Sequence, residues 1–117
     1  MSEIQNKIYV TGAAGMIGSN LVRRLVDEDF FVIGVDNFSR SDESRISDLV
    51  LKKNFKFFKE DIKNLNNTWQ EDITTSDTII HLADIVAGIG YVFQNQWSIF
   101  NENLEINSSI GKIIAEK

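Results

Sequence analysis

The chain has no cysteine, no proline and only one histidine among its 117 residues. Without cysteine it can form no disulfide, no thiolate metal site and no thiol nucleophile. A single histidine also argues against a metal site built on imidazole ligands. We therefore predict no metal site.

Basic residues and long apolar runs are scarce as well. Lysine and arginine total 12 against 17 acidic residues, which gives a net charge of −5, and no apolar run approaches the length of a membrane span. A nucleic-acid surface needs a basic face, so neither a nucleic acid nor a membrane is expected as a partner. The segment Met1-Ser2-Glu3 lacks a signal-peptide pattern, and the cytoplasm is the simplest expected location.

What the chain does have is enough apolar residues, 43%, for one compact domain with a hydrophobic core. Its most informative segment carries Gly12, Gly15 and Gly18; it follows the apolar run 8–10 and opens a helical pattern over 16–26. A strand, a glycine turn and a helix in that order can bind a diphosphate, because the helix start offers unpaired N–H groups. Gly12 suits a positive-φ turn, and Gly18 allows close helix–strand packing.

The spacing of the glycines is G-x-x-G-x-x-G, and no Gly-Lys-Ser/Thr ending follows, which disfavours ATP or GTP hydrolysis. A second apolar run, 30–35, ends at Asp36, where dinucleotide-binding folds hold the adenosine ribose. A carboxylate accepts hydroxyl hydrogen bonds and repels a 2′-phosphate, so NAD is favoured over NADP, although Arg40 leaves room for that phosphate. The alternatives are a turn-capping Asp36 and a domain for S-adenosylmethionine, which also uses a glycine turn and an acid.

Strand and helix patterns alternate along the whole chain, which predicts a mainly parallel sheet with helices on both faces. The expected fold is α/β, a partial Rossmann-type sheet of about four strands within one unit, 1–117. Within the first helix, Ile17, Leu21 and Leu25 are expected on the apolar face. The predicted strands are 8–11, 31–35, 55–58 and 78–83, and the predicted helices are 16–26, a short one at 46–50, a weak one at 65–71 and a last one from about 97.

Four segments in this order resemble the N-terminal, NAD-binding portion of the NAD-dependent epimerase/dehydratase family, the extended short-chain dehydrogenases/reductases that act on nucleotide sugars. They are the glycine turn 10–19, the strand end 35–39, the segment Glu60-Asp61-Ile62 and the segment Ile80-His81-Leu82-Ala83. The likeness covers nearly the whole chain. As a set the segments are specific, whereas each one alone is not.

The resemblance implies NAD as cofactor and, in a complete protein, a nucleotide-sugar substrate and a possible homodimer. It also implies a set of cofactor-binding residues. These are Gly12, Gly15, Met16, Ile17 and Gly18 at the pyrophosphate, Asp36, Asn37 and Ser39 at the ribose, Asp61 and Ile62 at the adenine, and Leu82 and Ala83 along the groove.

The family's catalytic pair, a tyrosine followed four residues later by a lysine, is missing from this sequence. Tyr9 is followed at that spacing by Ala13, and Tyr91 by Asn95. No catalytic residue is assigned, and the chain is expected to bind the cofactor without turning over alone, as the truncated first part of a larger enzyme whose substrate domain is absent. The alternative function is a non-catalytic dinucleotide sensor that regulates a partner protein.

Two polar residues at strand ends are predicted to have structural roles and not catalytic ones. His81 lies in an apolar strand and is expected to be a buried or half-buried packing residue instead of a general base. Thr11 is expected to form local hydrogen bonds at the end of its strand and not to contact the cofactor directly.

Overall fold

The structure is a computed structural model that describes residues 6–38, 43–62, 69–74, 77–83 and 96–116. The elements follow one another as strands separated by helical or turn segments, as predicted. They are β1 (Ile8–Thr11), α1 (Met16–Asp27), β2 (Val32–Asp36), a 3-10 turn (Glu43–Arg45), β3 (Phe55–Lys59), β4 (Thr78–His81) and α2 (Gln96–Glu116).

The four strands form one sheet in the order β3-β2-β1-β4, and every pairing is parallel. The predicted Rossmann-type parallel sheet is therefore confirmed. In the register, Thr11 lies beside Val35 and His81, and Asp36 lies beside Lys59. The carboxyl ends of all four strands consequently meet at one edge, where ligands bind in open α/β sheets.

Side chains alternate between the two faces of the sheet, and each face carries its own hydrophobic cluster. On one face Tyr9, Ile33 and Val35 pack with Ile106, Ile110 and Ile113 of α2. On the other face Val10 and Val32 pack with Val22 and Val26 of α1. Helices thus cover both faces of the sheet, which explains why the apolar strands read as nearly continuous hydrophobic runs.

Helix α1 buries Val22 and Val26 and half-buries Leu21 and Leu25, as its apolar periodicity predicts. The prediction for Ile17 on that face was wrong, because its side chain is 68% exposed at the first turn. In this first turn the buried residues are Gly18 and Ser19, so the side of α1 that meets the core begins at Gly18 and not at Ile17.

The carboxyl end of α1 is closed without glycine. Asp29 adopts the left-handed conformation, with a φ of 67°, and its N–H donates to Val26 O at 3.0 Å. The N–H of Phe30 donates to Leu25 O at 3.1 Å. These two bonds form a Schellman motif, which satisfies the last helical carbonyls and turns the chain toward β2.

The predicted helix at 46–50 was wrong. A 3-10 turn covers Glu43–Arg45, and turns follow in which Leu49 N–H bonds to Ile46 O and Lys52 N–H bonds to Leu49 O, both at 2.9 Å. These bonds join residues three apart instead of four. Only Ile46 and Leu49 are buried, so two contacts three residues apart anchor the segment, and a full helical turn is not needed.

Other boundaries differ slightly from prediction, because strand ends are set by pairing. Strand β2 extends to Asp36, β3 extends to Lys59, and β4 ends at His81, so that Leu82 and Ala83 follow the strand. Of the predicted helix at 65–71, residues 69–71 form turns and the remainder lies outside the described residues. No helix in the described part of the chain has the length and hydropathy of a membrane span.

Two helical glycines provide a test of the contact between α1 and the sheet. A Cβ at Gly18 would lie 2.0 Å from Gly12 O, whereas one at Gly111 of α2 would meet no atom within 4 Å. We predict that Gly18→Ala lowers the free energy of unfolding by about 3 kcal/mol through overpacking against the backbone. Gly111→Ala should raise it by up to about 1 kcal/mol, through helix propensity alone.

Urea unfolding followed by circular dichroism measures both glycine variants against the unmodified chain. Each substitution adds one methyl group to a helix, so Gly111→Ala is the matched control for Gly18→Ala. Equal stability changes in the two variants would contradict the close approach of α1 to the glycine turn.

Tyr9 gives a second test, because its hydroxyl is buried without a hydrogen-bond partner among the described residues. Burial raises the pKa of Tyr9 well above its ordinary value of about 10, and the carboxylates of Asp77 and Asp72 raise it further. The folded state therefore holds the neutral phenol, and stability should fall as pH rises through and beyond about 10, where the unfolded phenol ionises.

We predict that Tyr9→Phe is as stable as the unmodified chain at pH 7, or more stable by about 1 kcal/mol, because no buried hydroxyl remains. Its stability should decline less between pH 9 and pH 11. Urea unfolding across that range measures the difference, and Tyr91 stays in both proteins as a common background. A parallel decline of both proteins would contradict the assignment.

Candidate functional site

The glycine turn is tied to the end of the neighbouring strand by backbone hydrogen bonds. The N–H groups of Gly12 and Ala13 donate to Val35 O at 2.8 and 3.3 Å, and Gly15 N–H donates to Gly12 O at 3.1 Å. The turn therefore folds back over the carboxyl end of β2. This contact places the segment between β1 and α1 at the carboxyl edge of the sheet, where ligands bind in open α/β folds.

Gly12 and Gly18 occupy positions where a residue with a side chain would not fit. Gly12 has a φ of 71°, and a Cβ there would lie 2.9 Å from the backbone of Leu82 and Ala83. Gly18 packs against Gly12 O. The positive-φ turn and the close helix packing predicted from the sequence are thus both present, and the turn packs directly against the backbone that follows β4.

Gly15 lies at the open side of the turn, where it caps α1 with extended backbone. A Cβ at Gly15 would meet only Gly12 O, at 3.3 Å. The first intrahelical bond runs from Ser19 N–H to Gly15 O at 2.9 Å, so the N–H groups of Met16, Ile17 and Gly18 precede the hydrogen-bonded part of the helix. Such a helix start attracts an anion.

Asp36 contacts the turn directly. Its Oδ2 accepts a hydrogen bond from Ala14 N–H at 3.0 Å, and its Oδ1 accepts one from Phe38 N–H at 2.8 Å. The bonds expected of a turn-capping aspartate therefore exist. These two bonds use two of the about four acceptor positions of a carboxylate, and the ribose role stays a prediction. The carboxylate and the turn amides predicted to act together do lie together.

A buried hydroxyl joins the ends of β1 and β4. Thr11 Oγ1 accepts N–H bonds from Leu82 at 2.9 Å and Ala83 at 3.1 Å, and it lies 2.6 Å from Nδ1 of His81. Nε2 of His81 lies 2.8 Å from Oδ1 of Asn107 in α2. A hydroxyl that accepts two N–H bonds has its own proton left to donate, so these contacts fit the neutral Nε2–H tautomer of His81.

Thr11 thus forms the predicted local hydrogen bonds at its strand end, and His81 is half-buried, as predicted. That neither residue acts on a ligand stays a prediction. The same network limits what Leu82 and Ala83 can offer a ligand. Their N–H groups are already bonded to Thr11, so only carbonyl oxygens and side chains remain for the groove. Both side chains are half-buried.

The predicted adenine residues lie just beyond β3, the strand that pairs with β2. Asp61 is half-buried, and Ile62 is 5% exposed within the cluster that contains Tyr9 and Val35. Ile62 therefore has little surface to present to a ligand. Asn37 is exposed beside Asp36, and the predicted residue Ser39 lies outside the described residues.

Sequence reasoning missed three residues around the site. Phe38 N–H donates to Asp36, and Asn107 Oδ1 lies within hydrogen-bond distance of His81 Nε2. No sequence motif predicts either contact. Gly34 in β2 lies against the turn, since a Cβ there would be 2.8 Å from Ala13 Cβ. A glycine within an otherwise apolar strand was the one available signal, because such a glycine often marks a close backbone approach.

Comparison with known proteins gives the family. Residues 8–116 match the model of the NAD dependent epimerase/dehydratase family. The chain is 34% identical over 102 residues to UDP-glucuronate 4-epimerase of Thermodesulfobacterium geofontis, with 81% of this chain and 31% of the relative covered. It is 30% identical over 117 residues to UDP-glucose 4-epimerase of Pisum sativum, with 94% and 33% covered.

The solved structures agree on the fold. UDP-glucose 4-epimerase from Bifidobacterium longum, in complex with NAD+ and UDP, superposes with a TM-score of 0.80 at 22% identity, covering 95% of this chain and 34% of that one. The chain spans about a third of the length of these two epimerase relatives. The family model nevertheless matches residues 8–116, nearly the whole chain, and the chain belongs to the NAD-dependent epimerase/dehydratase family.

Proposed function

We propose that this chain is the NAD-binding portion of a nucleotide-sugar epimerase, dehydratase or reductase. One observation carries the proposal: the glycine turn and the Asp36 carboxylate, 22 residues apart, meet through the Ala14 N–H bond of 3.0 Å. A diphosphate donor site and a ribose acceptor site therefore lie side by side, at the edge where dinucleotides bind in this fold.

The residues present fit a dinucleotide. Gly15 leaves the approach to the turn open, since a Cβ there would occupy space otherwise bounded only by Gly12 O. In the proposed complex the amides of Met16, Ile17 and Gly18 donate to the diphosphate, with the positive end of α1 behind them. Asp36 accepts the ribose hydroxyls, with Asn37 beside it. Ser39 remains a further predicted ribose contact.

The remaining predicted contacts complete the groove. Asp61 is proposed to accept from the adenine amino group, whereas Ile62 supplies at most the edge of a buried side chain. Leu82 and Ala83 bound the groove on the β4 side through their side chains and carbonyl groups. NAD, when bound, would be the hydride acceptor, which takes a hydride from a sugar carbon and often returns it.

The substrate class is proposed from the relatives. Two of them are named for UDP-glucuronate and UDP-glucose, and the Bifidobacterium longum structure holds NAD+ and UDP. We propose a UDP-linked sugar as substrate of the whole protein, within the nucleotide-sugar class predicted from the sequence. A homodimer and a cytoplasmic location remain predictions.

A second function stays open because of one observation in the sequence. No tyrosine among the 117 residues is followed four positions later by lysine. A non-catalytic dinucleotide sensor needs the turn and Asp36 but not this pair. Both proposals require NAD binding, and neither assigns a catalytic residue to this chain.

The role of Asp36 predicts a change in cofactor preference. Asp36→Ala should weaken NAD binding about 10- to 100-fold, because hydrogen bonds between a carboxylate and the ribose hydroxyls are lost. NADP binding should weaken less, or strengthen, since the variant no longer repels a 2′-phosphate. Titration calorimetry with each dinucleotide measures both changes.

Asp27→Ala is the matched control, because it removes an exposed carboxylate at the far end of α1. It should leave both affinities unchanged. Asp36→Asn, which keeps the side-chain shape and one acceptor oxygen, should fall between the unmodified chain and Asp36→Ala. Equal weakening of NAD and NADP would argue against ribose recognition, and a folded, unmodified chain that binds neither would overturn the proposed function.

A further inference from the structure

Phe38, two residues after Asp36, has a left-handed backbone with a φ of 62°. The other described non-glycine residues with positive φ are Asn6 and Asp29, types that tolerate this region. For a bulky aromatic residue it is unfavourable, and it persists only where surrounding contacts impose it. The contacts of Phe38 therefore need an explanation.

The ring of Phe38 is held on the neighbouring strand β3. Its centroid lies 5.5 Å from the ring centroid of Phe57, and Lys59 Nζ lies 5.5 Å from the Phe38 centroid. The side chain is half-buried and packs against the cluster that contains Val32 and Phe55. Apolar burial and a cation–π contact thus fix the position of the ring.

The amide of Phe38 is fixed independently. Its N–H donates to Asp36 Oδ1 at 2.8 Å, while Ala14 N–H donates to Oδ2 at 3.0 Å. The amide and the ring lie on opposite sides of the N–Cα bond of Phe38, and φ is the rotation about that bond. The positive φ is therefore the torsion that satisfies both contacts at once.

We propose that Phe38 is a positioning residue for Asp36. Its ring, anchored on Phe57 and Lys59, holds the peptide group between Asn37 and Phe38, so that the N–H orients the Asp36 carboxylate before the dinucleotide binds. Because Ala14 N–H binds one oxygen and Phe38 N–H binds the other, the two amides together restrict the plane of the carboxylate. Preorganisation of this kind increases affinity because no side-chain ordering remains to occur on binding.

This inference rests on the proposed function for its ligand, and it extends that proposal to selectivity. Hydrogen bonds to the ribose hydroxyls require a defined carboxylate orientation, whereas repulsion of a 2′-phosphate depends mainly on charge and distance. Loss of orientation should therefore weaken NAD much more than it changes NADP. The ratio of the two affinities separates positioning from general destabilisation of the fold.

The test compares Phe38→Ala and Phe38→Gly with Phe30→Ala in the full 117-residue chain. Phe30 is 44% exposed and precedes β2, at the opposite end from Asp36. Phe38→Ala should weaken NAD about tenfold, the size expected when a hydrogen bond to a charged group is lost. NADP binding should change less than twofold, and Phe30→Ala should bind both dinucleotides like the unmodified chain.

Phe38→Gly separates the torsion from the ring. Glycine reaches positive φ without strain but does not enforce it, so NAD should bind with an affinity between those of the unmodified chain and Phe38→Ala. Affinity equal to that of the unmodified chain in Phe38→Gly would overturn the role of the ring. The role would also be overturned by an unchanged NAD affinity in Phe38→Ala, or by equal losses of NAD and NADP.

Amide hydrogen exchange tests the same inference without a ligand. The Ala14 N–H should exchange faster in Phe38→Ala than in the unmodified chain, because a mobile Asp36 accepts from it less of the time. Exchange at Ala14 in Phe30→Ala should be unchanged. If the unmodified chain binds no NAD, the proposed function fails, while slow and equal exchange at Ala14 in all proteins would refute the positioning role itself.

Discussion

The hydrogen bond from Ala14 N–H to Asp36 Oδ2 is the interaction on which the functional account depends. It joins the turn after β1 to the end of β2. Without it, an anion-binding helix start and a carboxylate would be two separate features of a common fold. With it, the proposed donors for a diphosphate and the proposed acceptor for a ribose lie on one surface.

That surface is supported from both sides of the sheet edge. Below the turn, Gly18 allows α1 to approach Gly12 O, and Gly34 leaves room for Ala13. Toward β4, Thr11 binds the amides of Leu82 and Ala83 and orients His81 toward α2. Buried hydroxyl bonds and close backbone packing at the same edge leave the glycine turn little freedom to rearrange, so the site is preorganised by the fold itself.

The fold and the meeting of the glycine turn with Asp36 were predictable from the sequence because their signals are local. The three glycines, the apolar runs and Asp36 at a strand end each identify a backbone requirement within a few residues. The prediction for Ile17 was wrong because helical periodicity cannot tell which residues of the first turn meet the core, and these are Gly18 and Ser19. The helix predicted at 46–50 was wrong because two buried residues three apart fit successive tight turns as well as a helix.

The rest depends on contacts between distant segments. Thr11 and His81 are 70 residues apart in the sequence. Asn107 lies beside His81 because of the orientation in which α2 packs on the sheet. The left-handed backbone of Phe38 follows from ring contacts on β3, and nothing in the segment Asp36-Asn37-Phe38 specifies it. Pattern reasoning identifies where a strand ends, but the sheet register decides which side chains meet there.

The most direct test of the central claim is an NMR titration of the 15N-labelled chain with NAD. We predict saturable shifts of the amides of residues 12–18 together with that of Phe38, with a single dissociation constant for both groups. A folded chain in which NAD shifts neither group, or shifts one without the other, would contradict a shared dinucleotide site.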